Sequence, residues 1–398
     1  MSKLKGFLAV NFDTKIKFYN FSHGKKLLNR ENYPLNVIDK IKNIVRSGCN
    51  INGGDFVLYS LFHNKSFGIT QSEFSSKIHS MENILSMHIS ALNSTLQKRY
   101  SQALPRGVTD NIGESIGMLV ISHCYNIADA DWDVIPETNK KKTMDFKLAI
   151  SNSGLVNLET KGTSAVILSL TKPYKDICKK KIANPVTPGN FNYGTITTID
   201  TKEICCYLID PPGNDEEVDL IYLRIVSRLQ YYLRVLNIIA PESELINIID
   251  ERIKQLIDKE IDCRDNVKLK PVKRASFNYS SGNMPTYFFN AYYDGSLNGG
   301  FGGRCFFVDS NNLLFLGVSN NLLIEIVNQS SDQIARDLVS DGEYFEVSMD
   351  IPDNALHRKD ENGKNIVSEE RFYNTNEILR AEGQLYFKNG IVIGILSY

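Results

Sequence analysis

Residues 143–163, Thr-Met-Asp-Phe-Lys-Leu-Ala-Ile-Ser-Asn-Ser-Gly-Leu-Val-Asn-Leu-Glu-Thr-Lys-Gly-Thr, read as two strands joined by a tight connection. Alternation assigns their faces. On the first strand Met144, Phe146, Leu148 and Ile150 point one way, and Asp145 and Lys147 the other. On the second, Val156 and Leu158 oppose Asn157, Glu159 and Lys161. Directly paired residues share a face, so the apolar sets meet only if Asp145 lies opposite Glu159 or Lys161, and not opposite Thr160. A three-residue loop, or a type I turn closed by Gly154 as a bulge, sets that register across Ser151-Asn152-Ser153-Gly154. Facing side chains then have Cβ atoms about 5 Å apart, within reach of one shared cation.

Two carboxylates and an ammonium on one sheet face make a poor core and a good seat for a divalent metal beside a phosphodiester. Mg²⁺ takes hard oxygen ligands and keeps several waters, so two carboxylates and a main-chain carbonyl suffice. A lysine beside them can orient or deprotonate the attacking water and neutralise charge developing on phosphate. The competing reading is a solvated sheet face with ordinary salt bridges, since Asp…Glu-x-Lys also arises by chance. Two rival matches within the chain are weaker. Asp13-Thr14-Lys15 has no acid upstream, and Asp145-Phe146-Lys147, with Asp131 and Asp133 before it, leaves Glu159 and Lys161 without a role.

Working outward, Leu104-Pro105-Arg106-Gly107 is a break, after which Thr109 or Asp110 caps a helix to about Asn126. Ile112, Ile116, Leu119 and Val120 form its apolar side, and Gly113 and Gly117 let it approach a sheet closely. Trp132 to Ile135 is a short strand. Lys172 to Ala183 is helical and carries Lys172, Lys175, Lys179, Lys180 and Lys181. Residues 194–199 and 204–209 are strands, broken at Asp210-Pro211-Pro212-Gly213. Val218 to Ile239 and Glu244 to Ile261 are helices separated at Pro241.

Toward the N-terminus, Phe7 to Asn11 reads as a strand and Leu35 to Val45 as a helix. Ser72 to Lys98 reads as one long helix with Phe74, Ile78, Met81, Ile84, Leu85, His88 and Leu92 near one stripe. From about residue 271 aromatics, Gly and Asn rise. Strands are expected at Arg304–Val308, Leu313–Val318, Tyr344–Met349 and Gly390–Ser397, with Asp309-Ser310-Asn311-Asn312 as a hairpin connection. The glycine-rich run Asn298 to Arg304 lacks the Lys-Ser/Thr of a phosphate-binding loop and reads as a flexible loop. Three segments result: an N-terminal α/β segment (1–105), a central segment (106–265) and a mostly β C-terminal domain (266–398).

The central pattern resembles the PD-(D/E)XK nuclease superfamily, whose members have the restriction-endonuclease-like fold. Asp145 matches the first acid, Glu159-Thr160-Lys161 matches Glu-x-Lys, and Glu114 lies in the preceding helix. The order helix, strand, strand, strand matches the family core, and the resemblance covers about residues 108 to 240. It implies an α/β fold, a mixed sheet with flanking helices. It also implies a metal shell of Asp145, Glu159, the Thr160 carbonyl and Glu114, with Lys161 acting on the attacking water. The family proline before the first acid is Met144 here, and the stretch from Lys161 to Val218 is longer than a minimal core needs.

The implied function is Mg²⁺- or Mn²⁺-dependent endonucleolytic hydrolysis of DNA, in a restriction or antiviral role. RNA cleavage, or a catalytically silent nuclease-like module that binds nucleic acid or protein, are the alternatives. Lys147, Lys172, Lys175 and Lys179 are the candidate contacts to the phosphate backbone. A homo-oligomer or a partner subunit is expected.

At 398 residues the chain is long enough for two or three domains. Hydrophobic residues at 42% and charged residues at 23% suit a soluble globular protein. The net charge of −1 means that nucleic-acid contact must come from local basic patches and not from the overall field. Seven scattered cysteines form no Cys-x-x-Cys pair and do not cluster with the six histidines, which argues against a zinc ribbon or disulfide framework. No run approaches the roughly 18 apolar residues of a membrane span, and the N-terminus is not a signal peptide. A cytoplasmic protein without membrane association is the expectation.

Overall fold

In the computed structural model, residues 3–62, 70–92, 94–135, 144–150, 154–164, 171–182, 191–210, 219–241, 243–258, 291–293, 300–328, 331–336, 342–352, 356–357 and 378–398 are described. The chain begins with helix α1 (Lys3–Leu8), strand β1 (Asn11–Phe18), helices α2 (Phe21–Leu27) and α3 (Leu35–Ser47) and strand β2 (Cys49–Asn52). Helices α4 (Gly53–Phe62) and α5 (Gln71–Asn83) precede the hairpin of β3 (Ile89–Leu92) and β4 (Thr95–Lys98). Helix α6 (Arg106–Tyr125), strands β5 (Trp132–Val134), β6 (Phe146–Ile150) and β7 (Gly154–Thr163), and helix α7 (Thr171–Ile182) follow. Strands β8 (Phe191–Ile199) and β9 (Ile204–Ile209) lead to helices α8 (Leu220–Ile239) and α9 (Glu244–Ile257). The C-terminal part holds β10 (Ala291–Tyr293), β11 (Phe301–Asp309), β12 (Asn312–Ser319), α10 (Asn320–Asn328), α11 (Ser331–Ala335), β13 (Glu343–Pro352), β14 (Leu356–His357), β15 (Ile378–Lys388) and β16 (Ile391–Ser397).

Two compact units form, each assembled from separated stretches: Val10–Lys65 with Asn83–Ser227, and Met1–Ala9 with Ser66–Glu82 and Arg228–Tyr398. The former is mixed α/β. Its nine-stranded sheet runs β3-β4-β1-β9-β8-β7-β6-β5, with β2 paired to β1. The pairs β4–β1, β1–β9 and β7–β8 are parallel and the rest antiparallel. Every residue of β8 and β9 is buried, as expected of strands covered on both faces.

Helix α6 covers one face. A Cβ added at Gly113 would lie 2.4 Å from the Gly162 nitrogen, and one at Gly162 only 1.6 Å from the Thr109 carbonyl oxygen. Gly117 sits likewise against Thr160 and Thr195. Glycine at 113 and 162 lets helix backbone touch strand backbone, and glycine at 117 makes room for the Thr160 and Thr195 side chains. Behind α6 stands α4, tied to it by the Tyr59–Ser122 and Ser60–Ser115 hydroxyl pairs, both 2.8 Å. On the other face α7 docks through buried Ile177, which fills the space left by Gly194 and packs with Ile196 and Ile209.

The second unit is built on a seven-stranded sheet, β10-β11-β12-β16-β15-β13, antiparallel except where β14 joins β11. The β15–β16 connection is Asn389-Gly390, both at positive φ (51° and 86°), the conformation that two-residue hairpins require. Phe301, Phe315, Leu385 and Leu396 belong to its core. Helix α1 belongs to this unit, with Lys5 Nζ donating to Ser397 Oγ at 2.6 Å. No helix among the described residues is long and apolar enough to cross a membrane.

Four local expectations change. Phe7–Asn11 is not a strand: Leu4, Phe7 and Leu8 form the buried stripe of α1, and the alternating strand is β1, in which Phe12, Thr14 and Ile16 are buried between polar residues. Ser72–Lys98 is not one helix. α5 ends at Asn83, a π turn spans Ile84–His88, and β3 and β4 follow around Ser94 at φ 61°. Helix α6 begins directly after Pro105, so Thr109 lies inside it and its hydroxyl donates to the Arg106 carbonyl. Phe301 to Arg304 belong to β11, where Gly303 meets the Leu316 carbonyl too closely for a side chain. Asn298 and Gly299, Ala183, Val218, residues 211–213 and residues 259–261 lie outside the described residues.

Gly162→Ala and Gly113→Ala force the α6–β7 backbones apart and should cost about 1–3 kcal/mol each, or more. Gly107→Ala, at a helical position with nothing within 4 Å, should be neutral or stabilising by about 0.5–1 kcal/mol. Urea unfolding of the three variants checks this ordering.

Candidate active site

Strands β6 and β7 pair with Phe146 opposite Leu158 and Ile150 opposite Gly154. Residues 151–153 connect them and lie outside the described residues. The same register carried one residue further sets Asp145 opposite Glu159, one of the two arrangements that alternation allows. Asp145 stands where β6 leaves the ladder. Its carboxylate takes the β7 edge in place of main chain, with Oδ2 accepting from the Thr160 N–H at 3.1 Å and lying 3.4 Å from Thr160 Oγ1. The N–H and C=O of a strand residue leave on the same side, so the Thr160 carbonyl also faces the β6 edge.

Lys161 Nζ bonds Glu159 Oε1 and stands 3.8 Å from Asp145 Oδ2. A second ammonium completes the cluster. Lys180 Nζ, from α7, lies 3.0 Å from Asp145 Oδ1 and 2.9 Å from Glu159 Oε1. The acids are 2% and 0% exposed, against 25% for Lys161 and 15% for Lys180. Solvent therefore reaches the carboxylates past the lysines.

Burial, reinforced by the Asp145 carboxylate, pushes the Glu159 carboxyl up to about 7 against the pull of the two lysines. Burial acts to lower Lys180, but Asp145 and Glu159 outweigh it and hold its ammonium above the ordinary lysine range. Glu159 Oε2 is buried with no hydrogen-bond partner among the described residues, leaving an oxygen for a ligand that accepts lone pairs. Two carboxylates, one of them with this spare oxygen, and a neighbouring main-chain carbonyl form a hard-oxygen donor set suited to Mg²⁺ or Mn²⁺.

Glu114 is half-buried on α6, the helix that covers the Thr160 and Thr195 side of the sheet, whereas Glu159 lies under α7. Among the described residues no group of three His, Cys, Asp or Glu side chains is placed to hold a metal. The structure thus brings together Asp145, Glu159, Thr160 and Lys161, and does not add Glu114 to them as a third acid. Lys147 is registered opposite Asn157 and Asp133; its side chain lies outside the described residues, as does that of Lys181. Lys172, Lys175 and Lys179 are exposed, at the i, i+3, i+7 spacing of one helix face.

Lys180 is the site residue that the sequence does not single out among the five lysines of its helix. Helical spacing separates it from them: Tyr174, Ile177 and Lys180 recur every three residues on the side that packs on the sheet. Comparison with family models, with curated proteins and with solved structures gave no match.

A carboxyl raised in the folded state binds its proton there while the unfolded chain has lost it. Stability from Glu159 therefore falls as pH rises from 4.5 to about 7, with a slope of at most about 1.4 kcal/mol per pH unit. Glu159→Gln should flatten that part of the curve in urea unfolding at pH 5, 6 and 7. An unchanged slope would show that Glu159 titrates normally.

Proposed function

We propose that the chain is a divalent-metal-dependent endonuclease of the PD-(D/E)XK class that hydrolyses phosphodiester bonds in DNA. The observation that carries this reading is the convergence of Asp145 and Glu159 on adjacent strands beside Lys161. The order of α6, β5, β6 and β7 agrees with the core of that class. On this reading residues 106–265 hold a restriction-endonuclease-like core.

Asp145 and Glu159 would hold the cation together with the Thr160 carbonyl. Bound there, Mg²⁺ or Mn²⁺ would supply the positive charge that polarises the scissile phosphate and acidifies water. Lys161 is the most exposed member of the cluster. It orients the attacking water and offsets the charge that grows on the phosphate oxygens. Lys172, Lys175 and Lys179 project from α7 as a row of cations suited to a phosphodiester backbone. Cleavage of foreign DNA, in restriction or antiviral defence, is the setting that the class suggests.

A second reading, a nuclease-like module that binds nucleic acid or protein without cutting, draws support from the cluster itself. Two acids and two lysines cancel in charge, so the site is electrostatically complete without metal.

The purified chain should cleave DNA in Mg²⁺ or Mn²⁺ and lose that activity on chelation. Asp145→Ala, Glu159→Ala and Lys161→Ala should each reduce the rate by about 100-fold or more, with circular dichroism unchanged. Cleavage surviving in all three rules the assignment out. Parallel assays on RNA decide the substrate, and absence of cleavage of either nucleic acid favours the binding module.

A further inference from the structure

Lys180 differs from every other lysine of α7 with a described side chain, because it is turned into the sheet and bridges both acids. Lys161 bonds Glu159 on its own strand and stays 3.8 Å from Asp145. Lys180 reaches an oxygen of each acid within 3.0 Å from a separate element. Its place is set by packing elsewhere on α7. Ile177, three residues earlier, is wholly buried against Gly194, where an added Cβ would lie 2.8 Å from it. One turn before that, Tyr174 stacks on Tyr19 with ring centroids 4.4 Å apart, and its hydroxyl lies 3.3 Å from His23 Nε2. These contacts dock the helix without help from Lys180, and they deliver its ammonium to the gap between the carboxylates.

We propose that Lys180 and a divalent cation are mutually exclusive occupants of the Asp145–Glu159 pair, so that the site takes up metal only by displacing a lysine of the chain itself. The proposal rests on the metal-dependent reading above. Mg²⁺ needs carboxylate oxygens at about 2.0–2.1 Å, and a cation held by both acids must sit between them, where Lys180 Nζ already lies within 3.0 Å of Asp145 Oδ1 and Glu159 Oε1. Lys180 fills the space between the two acids that a cation shared by both must take, whereas Lys161 lies to one side on Glu159, so the Lys180 ammonium and the metal exclude each other there. With Lys180 in place the four formal charges sum to zero. Without it the site carries one net negative charge and attracts a cation. Lys180 is thereby a positioning residue. It keeps two buried carboxylates apart and matched until metal arrives, and it sets the metal concentration at which the site fills.

The test is Mn²⁺ binding to the full chain, followed by the paramagnetic signal of free Mn²⁺, for the wild type, Lys180→Gln and Lys180→Arg. Lys180→Gln should bind about tenfold tighter or better, and Lys180→Arg no tighter than wild type. Equal affinity in wild type and Lys180→Gln overturns the exclusion and leaves metal dependence standing. No binding by any of the three overturns both. A second measurement needs no variant. Acetylation of wild-type lysines by an activated ester, read by peptide mass, should rise several-fold at Lys180 on addition of saturating Mn²⁺ while exposed Lys172 is unchanged. Unchanged Lys180 labelling with Mn²⁺ bound overturns the proposal.

Discussion

Asp145 and Glu159 are carboxylates taken out of water, and a charge in that position must be met where it stands. Much of the local architecture answers this requirement. The Asp145 carboxylate takes the Thr160 N–H that the end of β6 leaves open. Lys161 meets Glu159 from its own strand, and Lys180 is carried in by α7 to bridge the two acids. A hairpin with a polar face would ordinarily turn that face to solvent. Here a helix covers it, and the helix brings the compensating charge.

The opposite face of β7 is held by a different force. Helix α6 meets the strand at Gly113 and Gly162, close enough that backbone touches backbone, and Gly117 takes the Thr160 and Thr195 side chains. Such contacts tolerate little movement, because packed interiors have no slack to absorb an added methyl group. Strand β7 is thus pinned by α6 on one side and by ionic and apolar contacts to α7 on the other. Groups intended for chemistry gain from rigid supports of this kind. Glu159 and Lys161 sit on a strand held on both faces and both edges, and Asp145 is fixed to it by hydrogen bonds.

What the sequence disclosed follows from the range of the interactions involved. The hairpin is legible because its register is a local matter: period-two alternation sets Asp145 opposite Glu159 or Lys161 and not opposite Thr160, and the structure has the first of these. The α6 glycines were legible for a similar reason, since small residues four apart on a helix mark a close approach. Strand β1 is hard to see in the sequence, since its polar residues Asp13, Lys15 and Lys17 alternate with a short core set whose place is set by pairing with β2 and with β9, the latter nearly two hundred residues away. Segment Ile84 to Lys98 reads as helix because its apolar residues fit both periods, and tertiary pairing decides for strands from Ile89 onward. Lys180 is hidden in the sequence because five lysines in one helix look alike until their angular positions are compared with that of Ile177.

The central claim is that Asp145 and Glu159 form one cation site that α7 closes with Lys180. Crystals soaked in Mn²⁺ and measured at a wavelength where manganese scatters anomalously test it most directly. The account predicts an anomalous peak bonded to both carboxylates, with the Lys180 ammonium withdrawn from between them. A fully soaked crystal with no peak there, and Lys180 still bridging Asp145 and Glu159, would contradict it.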